Sequence, residues 1–173
     1  MTTEIIVLTG PESCGKSTLS EALARYWHAP LVPEAARHYL EQDPSYTESD
    51  LLTIARLQQQ LEADALTGAP ARLVCDTDLL VIMIWSEVKY GRCDPWITET
   101  FEANQQMESV RRRYCLCDYH MPWQSDPLRE NPDNRHELFT LYQEKLDSYK
   151  LHYVIAKGNP QERLQQTLKN CTR

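Results

Sequence analysis

The chain has 173 residues, 42% of them apolar and 25% charged, a size and balance that suit one globular domain and leave little room for a second core. Its 25 acidic and 18 basic side chains give a formal net charge of −7, which argues against a broad basic footprint for nucleic acid or anionic lipid but permits a local phosphate site. The apolar run Ile5–Leu8 follows Glu4 and is too short for a signal peptide or a membrane span, so the expected location is the cytoplasm, with no membrane partner.

In chain order, Ile5 to Leu8 reads as a buried parallel strand. Ser17 to Trp27 is helical, with Leu19, Ala22, Leu23 and Trp27 on one face. Leu31-Val32 is a short second strand, and Glu34 to Leu40 is helical. Thr47-x-x-Asp50 resembles a capping box that opens a long helix carrying Leu51, Ile54, Leu57, Leu61 and Ala65. Arg72 to Cys75 is a third strand, ending at Asp76. Helices are expected over Leu79–Val88 and Pro95–Met107, followed by a fourth strand at Tyr114–Cys117. The run Arg111-Arg112-Arg113 before it reads as a solvated edge. Pro122, Pro127 and Pro132 break regular structure, which makes residues 118–135 a long loop of the kind that often serves as a lid. Asn134-x-x-Glu137 caps a helix with Leu138, Leu141, Tyr142 and Leu146. Tyr153–Ala156 is a fifth strand, and Pro160 starts the last helix at its first position. Strands alternating with helices predict an α/β fold: one domain over residues 1–173, with a five-stranded parallel sheet covered by helices on both faces.

The six cysteines contain no C-x-x-C and read as reduced, mostly buried thiols. His120 is the only nearby candidate partner for a zinc site at Cys115 and Cys117, which is weak support.

The strongest signal is Gly10-Pro11-Glu12-Ser13-Cys14-Gly15-Lys16-Ser17, which fits G-x-x-x-x-G-K-[ST] directly after the first strand and at the start of the first helix. Glycines let backbone N–H groups wrap a polyphosphate, and the helix N-terminus adds a favourable dipole. Lys16 would reach the β- and γ-phosphates, Ser17 would sit on Mg²⁺, and Thr18 could add a phosphate contact. No Asn-Lys-x-Asp and no Asp-x-x-Gly occurs, and Asp76 is followed by Thr77 and Asp78 rather than by a water-activating Glu. These omissions favour transfer to a small acceptor over regulated hydrolysis.

In an open parallel sheet, ligands bind beyond the carboxyl ends of the strands. Glu34 and Arg37 fall there, as do Asp76 and Asp78, and Asp118 with the Pro-rich loop. Asp76 can hold Mg²⁺. Glu34 or Asp78 could accept a hydroxyl proton, and Arg37 could clamp phosphate. Arg129 and Arg135 could close over a triphosphate and neutralise developing charge. Trp27 is expected in the core, whereas Trp85, Trp96 or Trp123 could stack on a flat base, with Trp123 the preferred candidate. The loop near Gly158 is expected to meet the nucleotide base.

The set Gly10–Thr18, Val32-Pro-Glu-Ala-Ala-Arg37, Cys75-Asp-Thr-Asp78, Trp85-Ser-Glu-x-Lys-Tyr-Gly91 and Pro122-Trp-x-x-Asp-Pro-Leu-Arg129 resembles the ATP-binding family that contains the ribosylnicotinamide kinase domain of NadR-type proteins. The likeness runs from about residue 4 to about residue 165. It implies a P-loop nucleoside-kinase-like fold, a lid carrying Arg129, and phosphorylation of the ribose 5′-hydroxyl of nicotinamide riboside by Mg-ATP. The stretch Leu79 to Gly91 looks more like standalone members, whose acceptor need not be the same. The alternatives are a kinase for another nucleoside or a nucleoside monophosphate, and a non-catalytic or slowly hydrolysing ATP-binding regulator.

Overall fold

The computed structural model describes residues 2–41, 45–125 and 133–171. Five strands form one sheet: β1 (Thr3–Thr9), β2 (Leu31–Val32), β3 (Arg72–Asp76), β4 (Val110–Cys117) and β5 (Tyr153–Ala156). Among the described residues seven helices connect and follow them: α1 (Lys16–Trp27), α2 (Ala35–Tyr39), α3 (Glu48–Leu66), α4 (Leu79–Tyr90), α5 (Pro95–Gln105), α6 (Arg135–Ser148) and α7 (Pro160–Cys171). The strand order is β2-β3-β1-β4-β5, and every neighbouring pair is parallel. The alternating pattern of the sequence is thus realised as a parallel sheet covered on both faces.

The pleat sorts the core into two layers. Ile5, Val7, Leu73, Cys75 and Tyr114 face one side, where α3, α4, α5 and α6 bring Ile54, Met83, Phe101 and Leu146. Ile6, Leu8, Val74, Cys115 and Cys117 face the other, against Leu19 and Leu23 of α1 and Leu168 of α7. Each such buried aliphatic side chain contributes about 1.5–3 kcal/mol. Register places Asp76 beside Leu8, so β3 ends next to the residues that enter the phosphate motif. At the start of α3 the Asp50 carboxylate accepts from the Thr47 N–H at 2.8 Å, the expected half of a capping box.

The arginine run is a correction. β4 begins at Val110, four residues before the expected Tyr114, and so absorbs Arg111 to Arg113 into the sheet. Arg112 lies on the α3 face, where its buried guanidinium forms a bidentate pair with Glu62. Arg113 lies on the opposite face and pairs with Glu4 at 3.0 Å. Only Arg111 keeps the exposure expected of a solvated edge. Strand alternation, invisible in a simple count of charges, separates the three.

The six cysteines are free, and all but Cys93 are buried. Among the described residues no group of three or more His, Cys, Asp or Glu side chains could hold a metal ion, and no helix is long and apolar enough to cross a membrane.

Candidate active site

Two glycines set the shape of the loop between β1 and α1. Gly10 has φ 133°, and a Cβ there would stand 2.8 Å from the Cys117 carbonyl oxygen. Gly15 caps α1 with φ 80°, and a Cβ there would stand 2.7 Å from Met121 Sδ. Any larger residue would have to displace backbone at the first position and Met121 at the second. The amides that open a helix have no partner within it, and here they meet the cleft that Gly10 to Thr18 line. The Lys16 ammonium donates to the carbonyls of Gly10 (3.0 Å) and Pro11 (2.9 Å). Burial works against its charge, but the surrounding acidic groups, the Glu34 and Asp76 carboxyls among them, outweigh that and raise its pKa.

Asp76 sits just beneath this lining. Burial raises its carboxyl, while the Ser17 hydroxyl, Lys16 and Arg37 oppose the rise. Its Oδ1 is buried with no hydrogen-bond partner among the described residues. A hard oxygen donor left unpartnered beside an exposed Ser17 hydroxyl suits a divalent cation of the magnesium type. The next residue, Thr77, adopts φ 76°, a strained conformation for a β-branched side chain that costs on the order of 1–3 kcal/mol. Its N–H donates to the Leu8 carbonyl at 3.1 Å, which ties the strained turn to β1.

The same cleft, about 220 Å³, continues from the loop to a far side built by three helices. Glu34, the residue before α2, brings its carboxylate within 3.8 Å of the Arg37 guanidinium one turn on. Leu40 at the end of α2, Val81 and Trp85 of α4, and Leu138 of α6 form an apolar wall. Trp85 is fixed in place: its Nε1 donates to the Tyr46 hydroxyl at 2.6 Å, and the Tyr46 ring stands edge-on at 4.7 Å. Tyr142 of α6 is 5% exposed, lines the cleft, and has no hydrogen-bond partner among the described residues. Burial pushes its phenol well up, so it is a proton donor at neutral pH, in the same field as Lys16 and Glu34.

Several expected residues lie elsewhere. Asp78 does not line the cleft. One carboxylate oxygen caps α4 by accepting from the Leu80 N–H at 3.0 Å, and the other accepts from the Tyr114 hydroxyl at 2.7 Å. Burial pushes its pKa up to about 6. The physical reason is local: β3 ends at Asp76, Thr77 makes the turn, and Asp78 is spent on starting the helix. Trp123 is also off the cleft, although its neighbours Pro122 and Gln124 line it; its ring faces the Arg135 guanidinium at 5.6 Å. Trp96 packs under Arg56 instead. Trp27 is half-buried at the rim of the α1 core, with Arg72 over its ring. Gly158 lies outside the lining at the end of β5. Arg129 lies outside the described residues.

The first part of the expected lid is docked on the phosphate loop. The Gln124 N–H donates to Ser13 Oγ at 2.9 Å, and Arg135 donates to the carbonyls of Met121 (2.7 Å) and Ser13 (3.5 Å). Asp118 turns back on its own segment, accepting from the Tyr119 N–H and contacting His120 Nδ1 at 2.8 Å. The residues missed from the sequence are Tyr142, Val81, Leu138 and Arg163. Leu138 and Tyr142 were visible as a pair four apart on a helix face, but nothing local says which face meets a cleft. Arg163 gave no signal, because two of its three side-chain partners lie 45 and 149 residues away.

The model of the AAA domain family AAA_28 matches residues 5–163. The chain belongs to this family. No curated protein matches this AAA_28 chain in sequence. Among solved structures it is similar to the NadR protein in complex with NR (TM-score 0.71, 21% identity), covering 96% of this chain and 49% of that one. It is similar to deoxyadenosine kinase from M. mycoides (TM-score 0.67, 15% identity, 97% and 98% covered). It is also similar to thymidylate kinase from Ehrlichia chaffeensis (TM-score 0.66, 14% identity, 99% and 100% covered). At these identities the likeness is one of fold, and the chain spans about half the length of the NadR protein. The α/β fold is therefore one shared with the NadR protein and these two nucleoside and nucleotide kinases.

Proposed function

We propose that this protein is a kinase that transfers the γ-phosphoryl group of Mg-ATP to the 5′-hydroxyl of a nucleoside, with nicotinamide riboside the leading acceptor and nicotinamide mononucleotide the product. The observation that carries this reading is one cleft with a phosphate loop at one end and, at the other, a carboxylate and a phenol with no hydrogen-bond partner among the described residues, against an apolar wall. The NadR likeness, in which that protein holds NR, supports the choice of acceptor. A small polar acceptor and an ATP donor suit a cytoplasmic setting.

Ser17 and Asp76 would hold Mg²⁺, which when bound neutralises phosphate charge and fixes the triphosphate geometry. Lys16 and the loop amides bind the phosphates and stabilise the charge that spreads over the moving group. Glu34 takes the proton from the attacking hydroxyl as its oxygen bonds to the γ-phosphorus and the bond to the bridging oxygen of ADP breaks. Arg37 holds the Glu34 side of the site, and Tyr142 donates a hydrogen bond to the acceptor ribose or the transferred group. Trp85 offers the flat wall for the base. The role expected for Arg129, neutralising the transferred group from the lid, and that of Gly158 near the donor base stay part of the proposal.

A monophosphate acceptor is the second reading, favoured by Arg37 at the acceptor side and by the thymidylate kinase likeness. An ATP-consumption screen over ribosides and their 5′-phosphates, with mass detection of product, separates the readings. Nicotinamide riboside should gain one phosphoryl group. Preference for 5′-phosphates would move the assignment to the second reading, and ATP turnover that no acceptor accelerates would contradict both.

A further inference from the structure

Arg163 of α7 is 2% exposed, yet among the described residues all its side-chain hydrogen bonds go to main-chain carbonyls. Its Nε donates to Gly158 (2.8 Å), Nη1 to Cys14 (2.6 Å) and Nη2 to Asp118 (3.1 Å). Among the described residues no carboxylate pairs with it. The contrast with the other buried guanidinium, that of Arg112, is direct: Arg112 has Glu62 as its counter-charge. Carbonyl dipoles solvate a cation but do not neutralise it, and moving an ion out of water costs several kcal/mol. A buried charge without a counter-ion therefore needs an account.

Its position supplies one. Cys14 belongs to the phosphate loop, and a Cβ built at Gly15 would lie 3.8 Å from Arg163 Nη1. In a planar trans peptide the C=O and the N–H point in opposite directions. By holding the Cys14 carbonyl inward, Arg163 turns the Gly15 N–H of the same peptide away from itself, toward the side where the loop lines the cleft. The guanidinium thus sits one peptide behind the place where anionic oxygens would bind.

We propose that Arg163 is a positioning residue and a second, buried cation of the polyphosphate site, and that the missing counter-charge is the bound polyphosphate itself. This rests on the reading of the cleft as a triphosphate site. It assigns to α7, a helix that contributes no residue to the cleft wall, a part in donor binding. The strength of its effect should scale with the number of phosphate charges on the ligand, which a purely structural tether would not produce.

The test uses isothermal calorimetry with inorganic tripolyphosphate, ATP and AMP on the wild type, Arg163→Gln and Arg163→Lys, with nicotinamide riboside as a phosphate-free control. Arg163→Gln should weaken tripolyphosphate and ATP by about tenfold or more, AMP by much less, and the riboside hardly at all. Arg163→Lys, which keeps the charge but loses the fork, should preserve the ATP-to-AMP affinity ratio within about threefold. Equal losses for ATP and AMP, or unchanged tripolyphosphate binding in Arg163→Gln, would overturn the proposal. If Arg163→Gln does not fold, Arg163→Lys still decides: a collapsed ratio refutes the charge role, and a retained one supports it. A wild type that binds neither ATP nor tripolyphosphate would remove the triphosphate reading itself, a failure distinct from a wild type that binds both with a ratio insensitive to Arg163.

Discussion

The two ends of the cleft are built by different means. The phosphate end is main chain: six consecutive residues between β1 and α1, two glycines at positive φ, and amides aimed by the start of a helix. The acceptor end is side chains: Glu34 and Arg37 near α2, Trp85 on α4, Tyr142 on α6, each delivered by a different element over more than a hundred residues. A backbone site tolerates change in most of its side chains and depends on a few. A side-chain site can be retuned one residue at a time. Donor binding should therefore be robust and all-or-none, and acceptor choice adjustable.

Substitutions at the two ends should differ accordingly. Lys16→Ala should abolish turnover, by about a thousandfold or more, while circular dichroism and melting show an intact fold. Measurable turnover near the wild-type level would break the donor-end assignment. Glu34→Gln should lower kcat by about a hundredfold with ATP binding unchanged, as expected for loss of a general base; an effect confined to the acceptor KM would instead make Glu34 a binding group. Tyr142→Phe should cost about tenfold in kcat/KM for the acceptor, the size of one lost hydrogen bond to a charged or reacting group, with the ATP KM unmoved. Asp78→Asn should leave both KM values within about threefold and lower thermal stability by about 1–2 kcal/mol through the weakened cap and the Tyr114 contact. A large kcat loss there, with stability unchanged, would return Asp78 to the reacting centre.

The same contrast explains what could be read from the sequence. The sheet was legible because buried parallel strands are short apolar runs between amphipathic helices, and the phosphate loop was legible because its geometry is contiguous. Glu34, Arg37 and Asp76 were readable as candidates because they lie at or just past strand ends, where such sheets bind ligands. Asp78 follows a strand end as well, but the strained turn at Thr77 and the needs of α4 redirect it, and no spacing rule shows that. Tyr142 and Arg163 act across long sequence separations, and burial in one helix face looks the same whether it meets a core or a cleft. The Arg112–Glu62 pair was hidden for a similar reason, since 50 residues separate its members. Removing Glu62 would strand a buried guanidinium, at about 3–5 kcal/mol.

The most direct test of phosphoryl transfer between the two ends is the fate of label from γ-labelled ATP incubated with the protein, Mg²⁺ and nicotinamide riboside. The expected result is label in nicotinamide mononucleotide, formed in step with ADP and with little released as inorganic phosphate. Label found only as inorganic phosphate, at a rate indifferent to the riboside and to every other nucleoside or 5′-phosphate supplied, would contradict it.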